Sequence, residues 1–156
     1  MATIRHEMGL GMLDLLALKG FDRQARFKFV RHKEPRYDLH DFLRRGWLET
    51  YQAYQSKPVF DGLDYIVSFI GLENRRARFL GVFAVKGRRP GLESPPLPLG
   101  CPYEEWRALY FYYDLAKVPG FEDLEQRVVI DWGHSRSWHQ WPKRDKEVLE
   151  LLPTGQ

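Results

Sequence analysis

The sequence predicts an α+β fold: a small, partly closed β-barrel of about five or six strands braced by helices. Three observations lead there. Helical spacing of apolar residues is confined to the first third of the chain. Short strand-like segments separated by turn residues fill the remainder. No regular strand-helix-strand alternation appears, which argues against a parallel doubly wound sheet.

The elements follow in order. Met8, Met12, Leu15 and Leu16 recur at helical spacing and Lys19-Gly20 is a stop signal, so residues 7–18 are predicted as an amphipathic helix. Residues 25–31 (Ala-Arg-Phe-Lys-Phe-Val-Arg) alternate and predict a strand that Pro35 ends. Asp38 is a candidate N-cap with Asp41 in the first turn. Leu39, Leu43, Trp47, Tyr51 and Tyr54 then lie near one face of a second helix, ending before Lys57-Pro58.

The clearest sheet signal comes next. Residues 64–70 and 77–85 are predicted strands joined by a turn at residues 72–76, and Gly81 marks a bulge or a close backbone approach. Residues 88–102 hold Pro90, Pro95, Pro96, Pro98 and Pro102 and predict a loop. Neither side of that loop has enough helix and strand to close a core alone, so residues 1–156 are expected to be one domain. Three more strands are predicted over 110–115, 127–132 and 147–152.

The 156 residues suit one hydrophobic core, and 44% hydrophobic with 29% charged is a globular balance. The net charge of +3 is compatible with a polyanionic partner without demanding one. A single cysteine, Cys101, excludes an internal disulfide and a cysteine-rich metal cluster. There is no apolar run long enough to cross a bilayer and no signal-peptide layout at the start, so the expected location is cytoplasmic, away from membranes.

The most unusual segment is Asp131-Trp132-Gly133-His134-Ser135-Arg136-Ser137-Trp138-His139-Gln140-Trp141. Flat aromatic faces interleaved with hydrogen-bonding groups are what stacking a base and reading its edge require. Trp132, Trp138 and Trp141 are the candidate stacking groups, with Ser135 beside them. Arg31, His32, Arg136, Lys143 and Arg144 are candidate phosphate contacts. Tyr51, Gln52, Gln55, Ser68, Ser137 and Gln140 are candidate pocket residues, since Gln pairs well with a base edge. The competing reading of the cluster is structural: Trp132 and Trp138 plug the open end of a barrel, and the polar residues cap turns.

Enzyme templates are missing. No G-x-G-x-x-G, P-loop, G-x-S-x-G or H-E-x-x-H is present, and His134 and His139 lack further ligands for zinc. No catalytic residue, metal or cofactor is expected. A small hydrolase or transferase built on His134 or His139 remains an alternative, as does a protein-interaction module using Pro95-Pro96-Leu97-Pro98.

Several of these segments carry a resemblance. They are Val30-Arg31-His32-Lys33, Tyr51-Gln52-Ala53-Tyr54-Gln55, Ile66-Val67-Ser68-Phe69-Ile70-Gly71 and Ala77-Arg78-Phe79-Leu80-Gly81-Val82-Phe83. They close with Val129-Ile130-Asp131-Trp132-Gly133, Arg136-Ser137-Trp138-His139-Gln140-Trp141 and Glu147-Val148-Leu149-Glu150-Leu151-Leu152-Pro153. From about residue 19 to 153, the chain resembles the N-terminal domain that precedes GIY-YIG nuclease domains in some bacterial proteins. Through the strand-turn-strand ending Gly81-Val82-Phe83-Ala84-Val85 it is also similar to the PUA-like superfamily of ASCH, EVE, YTH and SRA domains.

The resemblance implies a pseudo-barrel that binds DNA or RNA and takes a modified or flipped base into an aromatic pocket. It further implies a link to restriction of foreign DNA. A nuclease, covalently joined or separate, is the other partner it suggests. The Gly-Ile-Tyr and Tyr-Ile-Gly motifs themselves do not occur in the chain, so cleavage is not expected of these residues.

Overall fold

A computed structural model describes residues 10–33, 38–98, 100–101, 104–142 and 144–153. The elements are α1 (Met12–Leu18), β1 (Phe27–His32), α2 (Leu39–Arg44), α3 (Trp47–Ala53), β2 (Tyr54–Gln55), β3 (Tyr65–Gly71) and β4 (Arg76–Pro90). A 3-10 turn (Gly91–Glu93), α4 (Trp106–Leu109), β5 (Phe111–Lys117), β6 (Val128–Asp131), β7 (His139–Gln140) and β8 (Val148–Leu151) complete them.

The strands form one curled, mixed sheet that makes a half-barrel, in the order β2-β5-β4-β3-β1-β7, with β6 and β8 branching from β4. The expected α+β, partly closed arrangement is present. β1 and β3 run parallel and pair Phe29 with Val67; the remaining pairs are antiparallel. β4 changes partners along its length. Its beginning lies between β3 and β6, and its end pairs with β5.

The curl has a local cause. Ser68 pairs with Gly81 and Phe69 with Phe79, so Leu80 is an extra residue, and Gly81 beside it takes a φ of 153°. A second irregularity falls at Lys86, next to Gly87 with φ 154°. Each bulge adds twist and bends the strand. The bulge expected at Gly81 is therefore found.

Both faces of the central strands are covered. Phe27 and Phe29 of β1, with Val67 and Phe69 of β3, join a cluster closed by Met12, Leu13, Leu15 and Leu16 of α1. Val30, Ile66 and Ile70 point the other way, into a cluster closed by Phe42, Trp47 and Leu48 of α2 and α3. Burial on two faces is why β3 reads as a nearly unbroken apolar run. Each fully buried large side chain contributes about 1.5–3 kcal/mol of transfer free energy.

Several expectations are corrected. The first helix starts at Met12: Gly11 is extended, and its N–H donates to Asp14 Oδ2 at 3.0 Å. Asp145 Oδ1 reaches across to accept from Leu13 N at 2.7 Å. Residues 7–9 of that expected helix, and Pro35, lie outside the described residues.

The second helix is two helices. Asp38 caps α2 as expected, accepting from Asp41 N at 3.0 Å. Gly46, at φ 74°, then turns the chain before α3. The expected loop at 88–102 starts later, because β4 continues to Pro90. Short α4 was not anticipated, and neither were β2 and β7. The expected terminal strand is β8, paired with β6.

Candidate binding site

The end of β1, the end of α3, β2, α4 and the Trp138 loop surround a cavity of about 450 Å³. That lies within the range of ligand pockets, about 300–1,000 Å³. Its walls are aromatic: His32, Tyr51, Tyr54, Trp106, Tyr110 and Trp138. Arg31, Lys33, Gln55 and Ser56 supply polar groups around them.

One backbone bond helps to place these groups. Arg31 N donates to Trp138 O at 2.7 Å, which ties the Trp138 loop to the end of β1. The rings then follow one another around the cavity. His32 lies 6.2 Å from Trp138 and 5.4 Å from Tyr51, centroid to centroid. Trp106 is 5.9 Å from Tyr51, 6.4 Å from Tyr54 and 5.5 Å from Tyr110. These spacings are those of mutually supporting aromatic pairs. Tyr54 is held from behind, its hydroxyl 2.5 Å from Ser94 Oγ.

A buried polar cluster backs the pocket. His32 Nε2 is 3.0 Å from Gln52 Oε1, and Ser68 Oγ donates to the same oxygen at 2.7 Å. Gln52 and Ser68 are both 0% exposed and His32 is 5% exposed. Burial pushes the His32 imidazole down to about 4, outweighing the Gln52 hydrogen bond, which raises it. The ring is therefore neutral at pH 7. Gln52 Nε2 is buried and has no hydrogen-bond partner among the described residues.

The expected site residues do not all meet in one place. Arg31, His32, Tyr51, Gln55 and Trp138 converge on this cavity. Gln52 and Ser68, expected to line it, instead lie beneath its surface and hold His32. Gln140, Trp141 and Arg144 line a different cavity of about 610 Å³, which the buried Trp132 also borders. Ser135, Arg136 and Ser137 sit on the exposed loop. There Ser135 Oγ accepts from Ser137 N at 3.2 Å, and Ser137 Oγ donates to His139 O at 2.6 Å. Lys143 lies outside the described residues.

Trp132 corrects the stacking expectation. It is 0% exposed and belongs to the α1 side of the core. Its Nε1 donates to Ser137 O at 3.2 Å, and Arg31 and Lys146 sit 5.1 and 4.7 Å from its ring centroid. A fully buried ring with these cations against it is a core residue, not an open stacking face. Trp141 is 47% exposed, with Arg26 and Lys28 about 5 Å from its ring. The three tryptophans thus do not form one platform.

Sequence reasoning missed Tyr54, Trp106 and Tyr110 as pocket walls. Trp106 and Tyr110 stand four apart, the spacing that aligns side chains on one helical face. That was the available signal.

His134 and His139 have cationic neighbours. Arg75 Nη1 is 2.6 Å from His134 Nδ1, and Lys28 Nζ is 3.3 Å from His139 Nδ1. Neither imidazole has a carboxylate or hydroxyl partner among the described residues. Among those residues no group of three or more His, Cys, Asp or Glu is placed to hold a metal ion. No helix among them is long and apolar enough to cross a membrane. Comparison of the chain with protein-family models, curated proteins and solved structures finds no significant match.

Proposed function

We propose that this chain is a nucleic-acid-binding module, a DNA reader that takes a modified or flipped base into the aromatic cavity. The observation that carries the proposal is the ring of His32, Tyr51, Tyr54, Trp106, Tyr110 and Trp138 around about 450 Å³, with Arg31 and Lys33 beside it. On this reading the half-barrel is a PUA-like pseudo-barrel, as the sequence resemblance implies.

The energetics set a requirement. Extracting a base from a duplex costs a few kcal/mol. Stacking on aromatic side chains returns about 1–3 kcal/mol per base. Hydrogen bonds to the base edge must supply the difference, or the base must be unpaired already. His32 and Gln55 are the polar groups in the cavity suited to that task. Arg31 and Lys33 then serve the flanking phosphates.

The test is a binding titration of labelled single-stranded and duplex DNA and matched RNA at two salt concentrations. The proposal expects binding that weakens as salt rises, with DNA preferred in competition. Preference for RNA would transfer the same pocket to a ribonucleotide ligand, since only RNA offers a 2′-hydroxyl. Absence of binding to all of them would refute the proposal.

A further inference from the structure

The inference concerns which base the cavity accepts, and it rests on the nucleic-acid reading above. Its starting point is the Gln52 oxygen, which lies within hydrogen-bond distance of both Ser68 Oγ and His32 Nε2. An amide oxygen has no proton to give, so with this amide orientation both neighbours must donate to it. A neutral imidazole carries one N–H, and here that N–H is on Nε2. Nδ1 is then a bare acceptor.

Nδ1 makes no hydrogen bond among the described residues. The His32 ring itself lines the cavity. Around it the walls are the rings of Tyr51 and Trp138. An acceptor in such a place loses free energy when a ligand displaces water and brings no donor.

We infer that His32 determines the specificity of the cavity by offering Nδ1 to the exocyclic amine of an adenine- or cytosine-type ring. Those amines project beyond the ring and reach an acceptor in a pocket wall. Guanine and thymine carry a carbonyl oxygen at the ring position where adenine and cytosine carry that amine, and the oxygen would face the same acceptor; guanine's own amine stands at C2, on the other side of its ring N–H. Mono-alkylation of the amine leaves one N–H and is compatible with the contact; dialkylation removes it. Gln52 and Ser68 are positioning residues: Gln52 fixes the tautomer, Ser68 bonds to the same Gln52 oxygen, and neither touches a ligand.

Two measurements on the full chain test this. The first is a long-range proton–nitrogen NMR spectrum of protein with labelled histidine, in which His32 is assigned from the signal lost in His32→Gln. The inference expects a protonated Nε2 and an unprotonated Nδ1. A proton on Nδ1 would overturn it, because the cavity would then favour an acceptor on the ligand. Gln52→Leu should scramble the tautomer while Ser68→Ala leaves it in place; an unchanged tautomer in Gln52→Leu removes Gln52 from the positioning role.

The second is a titration with short single-stranded DNAs that differ at one base. That base is adenine, N6-methyladenine, N6,N6-dimethyladenine, purine, cytosine, N4,N4-dimethylcytosine, guanine or thymine. Dimethylated bases and purine should bind about tenfold or more weakly than their amino parents. Equal affinity throughout, or a preference for guanine or thymine, with Trp138→Ala still weakening binding, overturns the inference and leaves the nucleic-acid reading standing. If Trp138→Ala weakens none of them, the nucleic-acid reading itself fails and this inference falls with it.

Discussion

Trp132 and Trp138 are six residues apart in sequence yet belong to hydrophobic clusters on opposite faces of the sheet. Trp132 sits with α1 and is fully buried, whereas Trp138 stands beside His32 in the cavity wall. One backbone carbonyl joins the two environments: Ser137 O accepts from Trp132 Nε1 at 3.2 Å. The division gives the two side chains different work and different mutational signatures.

Trp132→Ala should cost about 3–5 kcal/mol of stability, the usual range for emptying a buried tryptophan site. Urea unfolding measures it. Trp138→Ala should cost clearly less and should remove most of the ligand binding. Equal stability losses in the two variants would contradict the division.

Gly91→Ala tests how the α4 wall is held. A Cβ at Gly91 would lie 2.4 Å from Arg107 O and 2.5 Å from Tyr110 O, so the 3-10 turn and α4 must separate. Trp106 and Tyr110 move with α4. The expected result is a stability loss of about 1–3 kcal/mol and ligand affinity weakened severalfold. Wild-type affinity in this variant would show that the α4 wall does not contribute.

His32 predicts a pH dependence of stability. Its folded pKa is lowered from 6.5 to about 4, so the unfolded chain takes up the proton first as pH falls. The stabilisation is therefore complete above pH 6.5 and is lost progressively as pH falls toward 4. The loss amounts to about 3 kcal/mol. His139 is lowered too, by burial and then by Lys28, and adds in the same direction. Thermal midpoints measured across this window should fall for the wild type and fall less for His32→Gln.

Arg31 should behave as a phosphate contact. It lines the cavity while its guanidinium lies over the buried Trp132 ring, 5.1 Å from the centroid. Arg31→Ala should weaken binding to all sequences alike and lower the salt slope by about one. A change in base preference instead would place Arg31 on the base edge.

The fold was more legible than the site. Alternation located β1, and apolar or aromatic runs bounded by turn residues located β3, β4, β5, β6 and β8, although several of their strand partners lie far away in sequence. Asp38 announced its cap, and Gly81 announced a bulge that the Leu80 register shift confirms. Gly46 did not announce the break between α2 and α3, because a glycine in a helical pattern is often tolerated.

The tryptophan segment misled for a physical reason. Spacing along an irregular loop says nothing about which face of a sheet each side chain meets, so Trp132, Trp138 and Trp141 looked like one platform. Trp106 and Tyr110 carried the opposite error: their spacing of four was a signal, but a four-residue helix after a proline-rich stretch adds no further pattern to support it. Gln52 and Ser68 were correctly brought together, but only packing reveals that they lie behind His32 rather than beside a ligand.

The most direct test of the central claim is a fluorescence titration of wild type and Trp138→Ala against one panel of duplexes. The panel holds unmodified DNA and DNA carrying methylcytosine, hydroxymethylcytosine or methyladenine. The account predicts tight wild-type binding to at least one of these duplexes and a loss of about tenfold or more in Trp138→Ala, in line with the worth of one stacked base. Binding unaffected by the substitution, or no binding by either protein, would contradict it.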